Sequence, residues 1–244
     1  MTTHDQPRRP AYPPPADERD RAIVLVHGAW GGEWCWSPVL PRLRASGRAV
    51  HAVSLTGHGS RAHESGPHVT LSDHVADVVG VFEAADLTNV TLVGHSYGGR
   101  VITRAWSAVG DRIARLVYLD AHAPIGTDPI PGEDRHELAE AHGGMLPFTG
   151  YDPDPDEFGG AESVAWFLAR VLPQSFATFT EPFWTELPDE LAKTYVFATG
   201  NAGSRFAGYA AVAEQSPHWD YRELPGSHWL MVSHPAEVAD IILA

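Results

Sequence analysis

Asn89-Val90-Thr91-Leu92-Val93, followed at once by Gly94-His95-Ser96-Tyr97-Gly98-Gly99, decides the reading of this chain. A β-branched apolar run leads into a serine flanked by glycines, and residues 100–109 continue as an unbroken helical stretch. When G-x-S-x-G lies between a strand and a helix, the turn is so tight that a side chain at either glycine would collide with crowded backbone. The serine hydroxyl is pushed outward at the strand end, where a nucleophile is needed.

Working outward from this turn, short apolar runs at 22–26, 49–55, 90–93, 113–119, 194–198 and 219–224 read as strands. They alternate with helical patterns at about 38–45, 71–85, 97–109, 206–215 and 235–243, with Thr70 or Ser72 as N-cap of the second helix. Such alternation predicts an α/β fold, a mostly parallel sheet of about six strands flanked by helices. Residues 121–191 break the rhythm: they are rich in Pro, Gly and aromatic side chains and hold one helical patch at 161–171. That length exceeds a simple crossover and predicts a helical cap inserted after the strand that ends at Asp120.

At 244 residues the chain has room for one such domain, expected over 21–244. Residues 1–20 combine five prolines with charges, lack the apolar core of a signal peptide, and are expected to form a disordered leader. The net charge is −14, and Lys193 is the only lysine among the 17 basic residues. No basic stripe is left for nucleic acid or an anionic membrane, and no later segment has membrane-spanning length. The single cysteine, Cys35, rules out an internal disulfide and suits a reducing, cytoplasmic location. The 14 histidines lack metal-binding spacing, so neither a metal nor a cofactor is expected.

Ligands of an open parallel sheet bind at the carboxyl ends of its strands, where the post-strand residues should converge. After the first strand comes His27-Gly28-Ala29-Trp30-Gly31-Gly32, whose backbone N–H at Ala29 or Trp30 would face a developing oxyanion. The Tyr97 N–H, next to the serine, would be the second donor. A serine also needs a base, and His228 in Leu224-Pro225-Gly226-Ser227-His228-Trp229 follows the last strand. His27 and His95 are expected to shape the site and His234 to cap the last helix. His51, His63, His68, His74, His136, His142 and His218 fall on segments expected at the surface.

The order of serine, acid and late histidine resembles the α/β-hydrolase superfamily. His27-Gly28-Ala29-Trp30 with Trp34-Cys35-Trp36, Gly57-His58-Gly59, the serine turn itself and Leu116-Val117-Tyr118-Leu119-Asp120-Ala121 look like its small plant-esterase and hydroxynitrile-lyase-like branch, including bacterial members. The resemblance implies a helical cap over the pocket at about 121–191. It also implies an acid in the loop after the strand that follows the cap, here Thr199-Gly200-Asn201-Ala202-Gly203-Ser204, yet no Asp or Glu occurs between Leu191 and Ala213. Asp120, 24 residues after Ser96, is the alternative, and some family members place their acid there. Otherwise Asn201 or a water would hold the histidine without charge, giving a slower enzyme.

Serine at the elbow argues against the dehalogenases and epoxide hydrolases of the fold, which use Asp there. The branch's hydroxynitrile lyase uses a lysine beside the histidine, where this chain has Trp229. Acyl transfer without a cofactor is therefore expected: Ser96 attacks, His228 acts as base, and Asp120 orients it. The aromatic residues of 121–191 and the first turn suggest a bulky apolar or aromatic ester or lactone, with pocket candidates Trp30, His27, His95, Trp166, Phe183, Trp184 and Trp229. Aromatic residues at helical spacing more often pack a cap's core than contact a ligand. The acidic net charge disfavours anionic substrates, an effect that a local arginine such as Arg205 would reverse. Two other readings are a non-hydrolytic enzyme acting on a natural-product intermediate, and a receptor that binds a small molecule without turnover.

Overall fold

The structure, a computed structural model, describes residues 21–126, 133–149, 151–201 and 205–244. The leader expected at 1–20 lies outside them. Six strands, β1 (Ile23–Val26), β2 (Val50–Val53), β3 (Val90–His95), β4 (Ile113–Leu119), β7 (Ala192–Ala198) and β8 (Asp220–Leu224), form one sheet. Its order is β2-β1-β3-β4-β7-β8 and all five pairings are parallel. Between β4 and β7 lie β5 (Met145–Leu146) and β6 (Gln174–Ser175), which pair antiparallel as a separate small sheet.

The strand sequences explain the layering. Every residue of β1 and β3 is buried, as expected where helices cover both sheet faces. Alternate residues divide between two cores: Val24, Val26, Leu92, Tyr118 and Tyr195 face one, while Ile23, Leu25, Val93, Val117 and Val196 face the other. The first core is closed by α2 (Leu71–Ala84), α3 (Gly98–Val109) and α8 (Ala207–Gln215), the second by α1 (Leu40–Ala45), α9 (Leu230–Ser233) and α10 (Pro235–Leu243). Thr70 is the N-cap of α2: its side chain accepts from the Asp73 N–H while the Asp73 carboxylate accepts from the Thr70 N–H.

The chain leaves β1 towards β2, then crosses back to place β3 on the other side of β1. This reversal is a topological switch point, and the loops after β1 and β3 diverge there to leave a crevice. The segment between β4 and β7 lies against it. That segment contains α4 (Glu133–Ala141), α5 (Pro155–Phe158), α6 (Ala161–Leu168) and α7 (Ala177–Thr180) besides β5 and β6. It is tied to the sheet edge through Trp30, whose Nε1 donates to the Leu146 carbonyl (3.0 Å) and whose carbonyl accepts from Leu172 N (3.0 Å).

Two expectations about histidines need correction. His74, expected at the surface, is fully buried, because Leu71, His74, Val78 and Phe82 form the inward stripe of α2. His234 stands at the N-cap of α10 without a side-chain capping bond, its ring being paired with the Ser233 hydroxyl at 2.9 Å.

Candidate active site

Ser96 follows β3 with φ 54°, a left-handed conformation that costs a non-glycine residue about 1–2 kcal/mol. The turn is held by three backbone bonds: Ser96 N–H donates to Leu119 O (3.2 Å), and Ser96 O accepts from Gly99 N (3.1 Å) and His122 N (3.1 Å). Glycine is needed where α3 starts, since a Cβ on Gly98 would lie 2.6 Å from the Val26 carbonyl oxygen of β1. Ser96 itself is 8 % exposed and lines a cavity at the carboxyl edge of the sheet.

His228 reaches the same cavity from the loop between β8 and α9. Its Nδ1 lies 2.6 Å from Asp120 Oδ2, and the carboxylate is fully buried directly after β4. Because a carboxylate accepts, Nδ1 carries the proton and the basic lone pair sits on Nε2. Asp120 also accepts from Asn201 Nδ2 (2.9 Å) and the Ala198 N–H (3.4 Å). Asn201, in the loop where the family resemblance looked for an acid, thus touches the acid and leaves the imidazole to Asp120. The His228 ring is held on two further sides. Phe206 stacks on it at 5.0 Å with an interplanar angle of 8°, and His95 lies 4.6 Å away with Nε2 donating to the His228 carbonyl at 2.8 Å.

The two amides singled out as oxyanion donors, those of Ala29 and Tyr97, belong to residues that line this cavity. Among the described residues neither amide has a hydrogen-bond partner. The Trp30 N–H, the other candidate in the first turn, donates to Gln174 Oε1 at 3.4 Å, which leaves Ala29. Behind these amides His27, His58 and His74 pack edge to face, 5.6 and 6.0 Å between successive rings. Two of them make defined hydrogen bonds: His27 Nδ1 donates to Gly28 O (2.8 Å) while Nε2 accepts from Leu55 N (3.2 Å), and His74 Nδ1 accepts from Tyr97 OH (2.9 Å). Burial pushes all three down, His27 and His74 to about 4 and His58 to about 3, and pushes His95 well below the usual imidazole range. They are neutral, positioning side chains.

Of the expected pocket residues, Trp30 and Trp229 line the cavity, whereas His27 and His95 are fully buried behind its wall. Trp166 and Trp184 do not line it: they are 45 % and 49 % exposed, and Trp166 packs against Trp34 (5.4 Å) and under the Arg170 guanidinium (3.8 Å). Phe183 is buried below the Arg100 guanidinium at 4.4 Å, a packing role. Sequence reading missed His122, which follows Asp120 by two residues and lines the cavity with its Nδ1 3.2 Å from Tyr209 OH. Its place at the end of β4 was the available signal. Arg135 of α4 was missed as well. Lys193 sits near the amino end of β7, bonded to the Pro188 and Asp189 carbonyls, far along the strand from the edge that carries His228.

Among the described residues no group of three or more His, Cys, Asp or Glu side chains is arranged to hold a metal. Nor is any described helix long and apolar enough to cross a membrane.

Residues 23–241 match the model of the alpha/beta hydrolase family. The chain is 36% identical over 242 residues to a carbendazim hydrolyzing esterase of Nocardioides sp. (strain SG-4G), covering 91% of this chain and 98% of that one. It is 34% identical over 257 residues to a probable esterase, PIR7A, of Oryza sativa subsp. japonica, covering 93% and 97%. Among solved structures, an extracellular alpha/beta-hydrolase from a Paenibacillus species superposes with a TM-score of 0.70 at 22% identity, over 91% of this chain and 98% of that one, a likeness of fold.

Proposed function

Since this chain belongs to the alpha/beta hydrolase family, we propose that it is a carboxylic ester hydrolase working through an acyl-enzyme on Ser96. Esterase relatives that align along nearly their whole length support the reaction class. The observation that carries the serine mechanism is the 2.6 Å contact between His228 Nδ1 and the buried Asp120, made on the cavity that Ser96 lines.

In this reading His228 Nε2 takes the Ser96 hydroxyl proton as Oγ attacks the ester carbonyl. The Ala29 and Tyr97 amides receive the oxyanion, and Asp120 stabilises the imidazolium. The imidazolium then protonates the leaving alkoxide, and the alcohol departs. Water, deprotonated by the same histidine, attacks the acyl-enzyme and releases the acid with Ser96 restored. The described part of 121–191 serves as the cap over this chemistry. The cavity measures about 160 Å³, close to the roughly 150 Å³ that accommodates one benzene ring, so it has room for one ring or a short acyl chain. Aromatic esters and lactones of that size are the proposed substrates.

The test is turnover of 4-nitrophenyl esters and aromatic lactones by the wild type and by Ser96→Ala, with intact mass after treatment with a fluorophosphonate. The expected result is a single phosphonyl adduct on the wild type and none on Ser96→Ala, with turnover lost in the variant. Ester turnover that survives Ser96→Ala would refute the acyl-enzyme.

A further inference from the structure

The walls of the Ser96 cavity have an unusual charge balance. Among the described residues that line it, Arg135 and Arg205 are cationic and no Asp or Glu is present. The chain as a whole carries a net charge of −14, so this is a local reversal of sign. Among the described residues neither guanidinium forms an ion pair within 4 Å, although the Asp134 charge acts on Arg135, whereas Arg42, Arg61, Arg104 and Arg222 each have a paired carboxylate.

Both arginines line the same cavity as Ser96 and His228, each beside an aromatic residue of the site. Arg135, half buried on α4, stands over the Trp30 ring at 5.9 Å, and Trp30 follows the oxyanion donor Ala29. Arg205 immediately precedes Phe206, whose ring stacks on His228. The two are close enough to feel each other. Burial first, and the Arg205 charge next, push the Arg135 guanidinium below its ordinary range. Arginine stays charged even so, and two like charges on one cavity wall, Arg135 half buried and Arg205 exposed, are stabilised when an anion joins them.

We propose that Arg135 and Arg205 form an anion subsite, and that the enzyme prefers compact esters carrying a second, ionised carboxyl group. This rests on the esterase reading above and names its substrate class. A planar carboxylate suits the guanidinium fork, and the small cavity requires that charge and ester be carried on a short or single-ring skeleton.

Two isosteric pairs test it: 4-acetoxybenzoate against 4-acetoxybenzamide, with charge on the alcohol side, and monomethyl terephthalate against methyl 4-carbamoylbenzoate, with charge on the acyl side. The ratio of kcat/KM within a pair is expected to favour the anion by roughly tenfold in the wild type, the scale of one charge-assisted hydrogen bond. It should fall to about one in the Arg135→Gln, Arg205→Gln double variant and return in the double Lys variant. Arg44→Gln, on the exposed face of α1, should leave the ratio unchanged and so controls for net charge. Equal kcat/KM for both members of both pairs in the wild type, or a preference that survives the double Gln variant, overturns the subsite. If none of the four esters is turned over, calorimetry on Ser96→Ala decides separately. Tighter binding of 4-hydroxybenzoate than of 4-hydroxybenzamide, lost in the double Gln background, sustains the subsite, and equal binding overturns it, while the esterase reading is judged separately by the 4-nitrophenyl ester panel.

Discussion

Trp30, Ser96 and Asp120 all hold positive φ, at 62°, 54° and 41°, and all three stand just after neighbouring strands at one edge of the sheet. At the last of them the side chain eases the strain, since Asp and Asn enter the left-handed region more readily than other non-glycine residues. Asp120→Asn therefore preserves the backbone and the volume while removing the charge. The variant is expected to fold, shown by an unchanged circular dichroism spectrum, while kcat falls by on the order of 10³–10⁴. Asn201→Ala removes only a donor to the carboxylate, and a loss of about tenfold in kcat is expected. Equal losses in the two variants would mean that Asn201 shares the role of the acid. Ser96 and His228 were legible because each announces itself in a local pattern; Asp120 emerged only because the later loop lacks a carboxylate. Trp166 and Trp184 were misread because composition gives no direction to a side chain on a short helix or irregular loop. Their exposure depends on how those pieces dock.

At the scale of elements, the long periodic segments were legible to within a few residues, and β5 and β6 were not. Two residues per strand leave too short a pattern, and their pairing depends on Gln174 and Leu146 meeting across the fold. His74 was recoverable in principle: positions 71, 74, 78 and 82 share one helical face, and reading the residue type before the spacing hid it. The α2 capping box gives a stability prediction remote from the cavity. Thr70→Ala should cost about 1 kcal/mol in urea denaturation with esterase kinetics unaltered. Gly98→Ala should be far worse, because the new methyl would press on the Val26 carbonyl and the start of α3 would have to move away from β1. Soluble yield and thermal midpoint are the readouts, and a well-folded Gly98→Ala enzyme with wild-type Tm would contradict the close approach.

For the whole molecule, the buried neutral histidines set a limit in acid. Unfolded histidines bind protons near pH 6.5, whereas His27 and His74 in the folded chain do so only near 4, His58 near 3 and His95 well below 6.5. Between those limits the unfolded chain holds more protons, so stability rises with pH and is lost as pH falls from about 6.5 to about 4. Each such group contributes at most about 1.4 kcal/mol per pH unit, and four together are comparable with the whole stability of a typical domain. The urea midpoint is expected to drop steeply from about pH 7 to about pH 5, and a flat profile would mean that these imidazoles are solvated.

The position of the acid has a bearing on how such a protein can diversify. On the proposed assignment of Asp120, just after β4, as the acid, the described residues of 199–206 supply Asn201 bonded to that carboxylate, Phe206 stacked on His228, and Arg205 at the cavity wall. On that reading the stretch is a replaceable cassette: grafts that retain Asn201 and Phe206 would transplant substrate preference with the proposed proton-handling pair left intact. In a homologue whose acid resides in the same loop, each graft would put catalysis at stake.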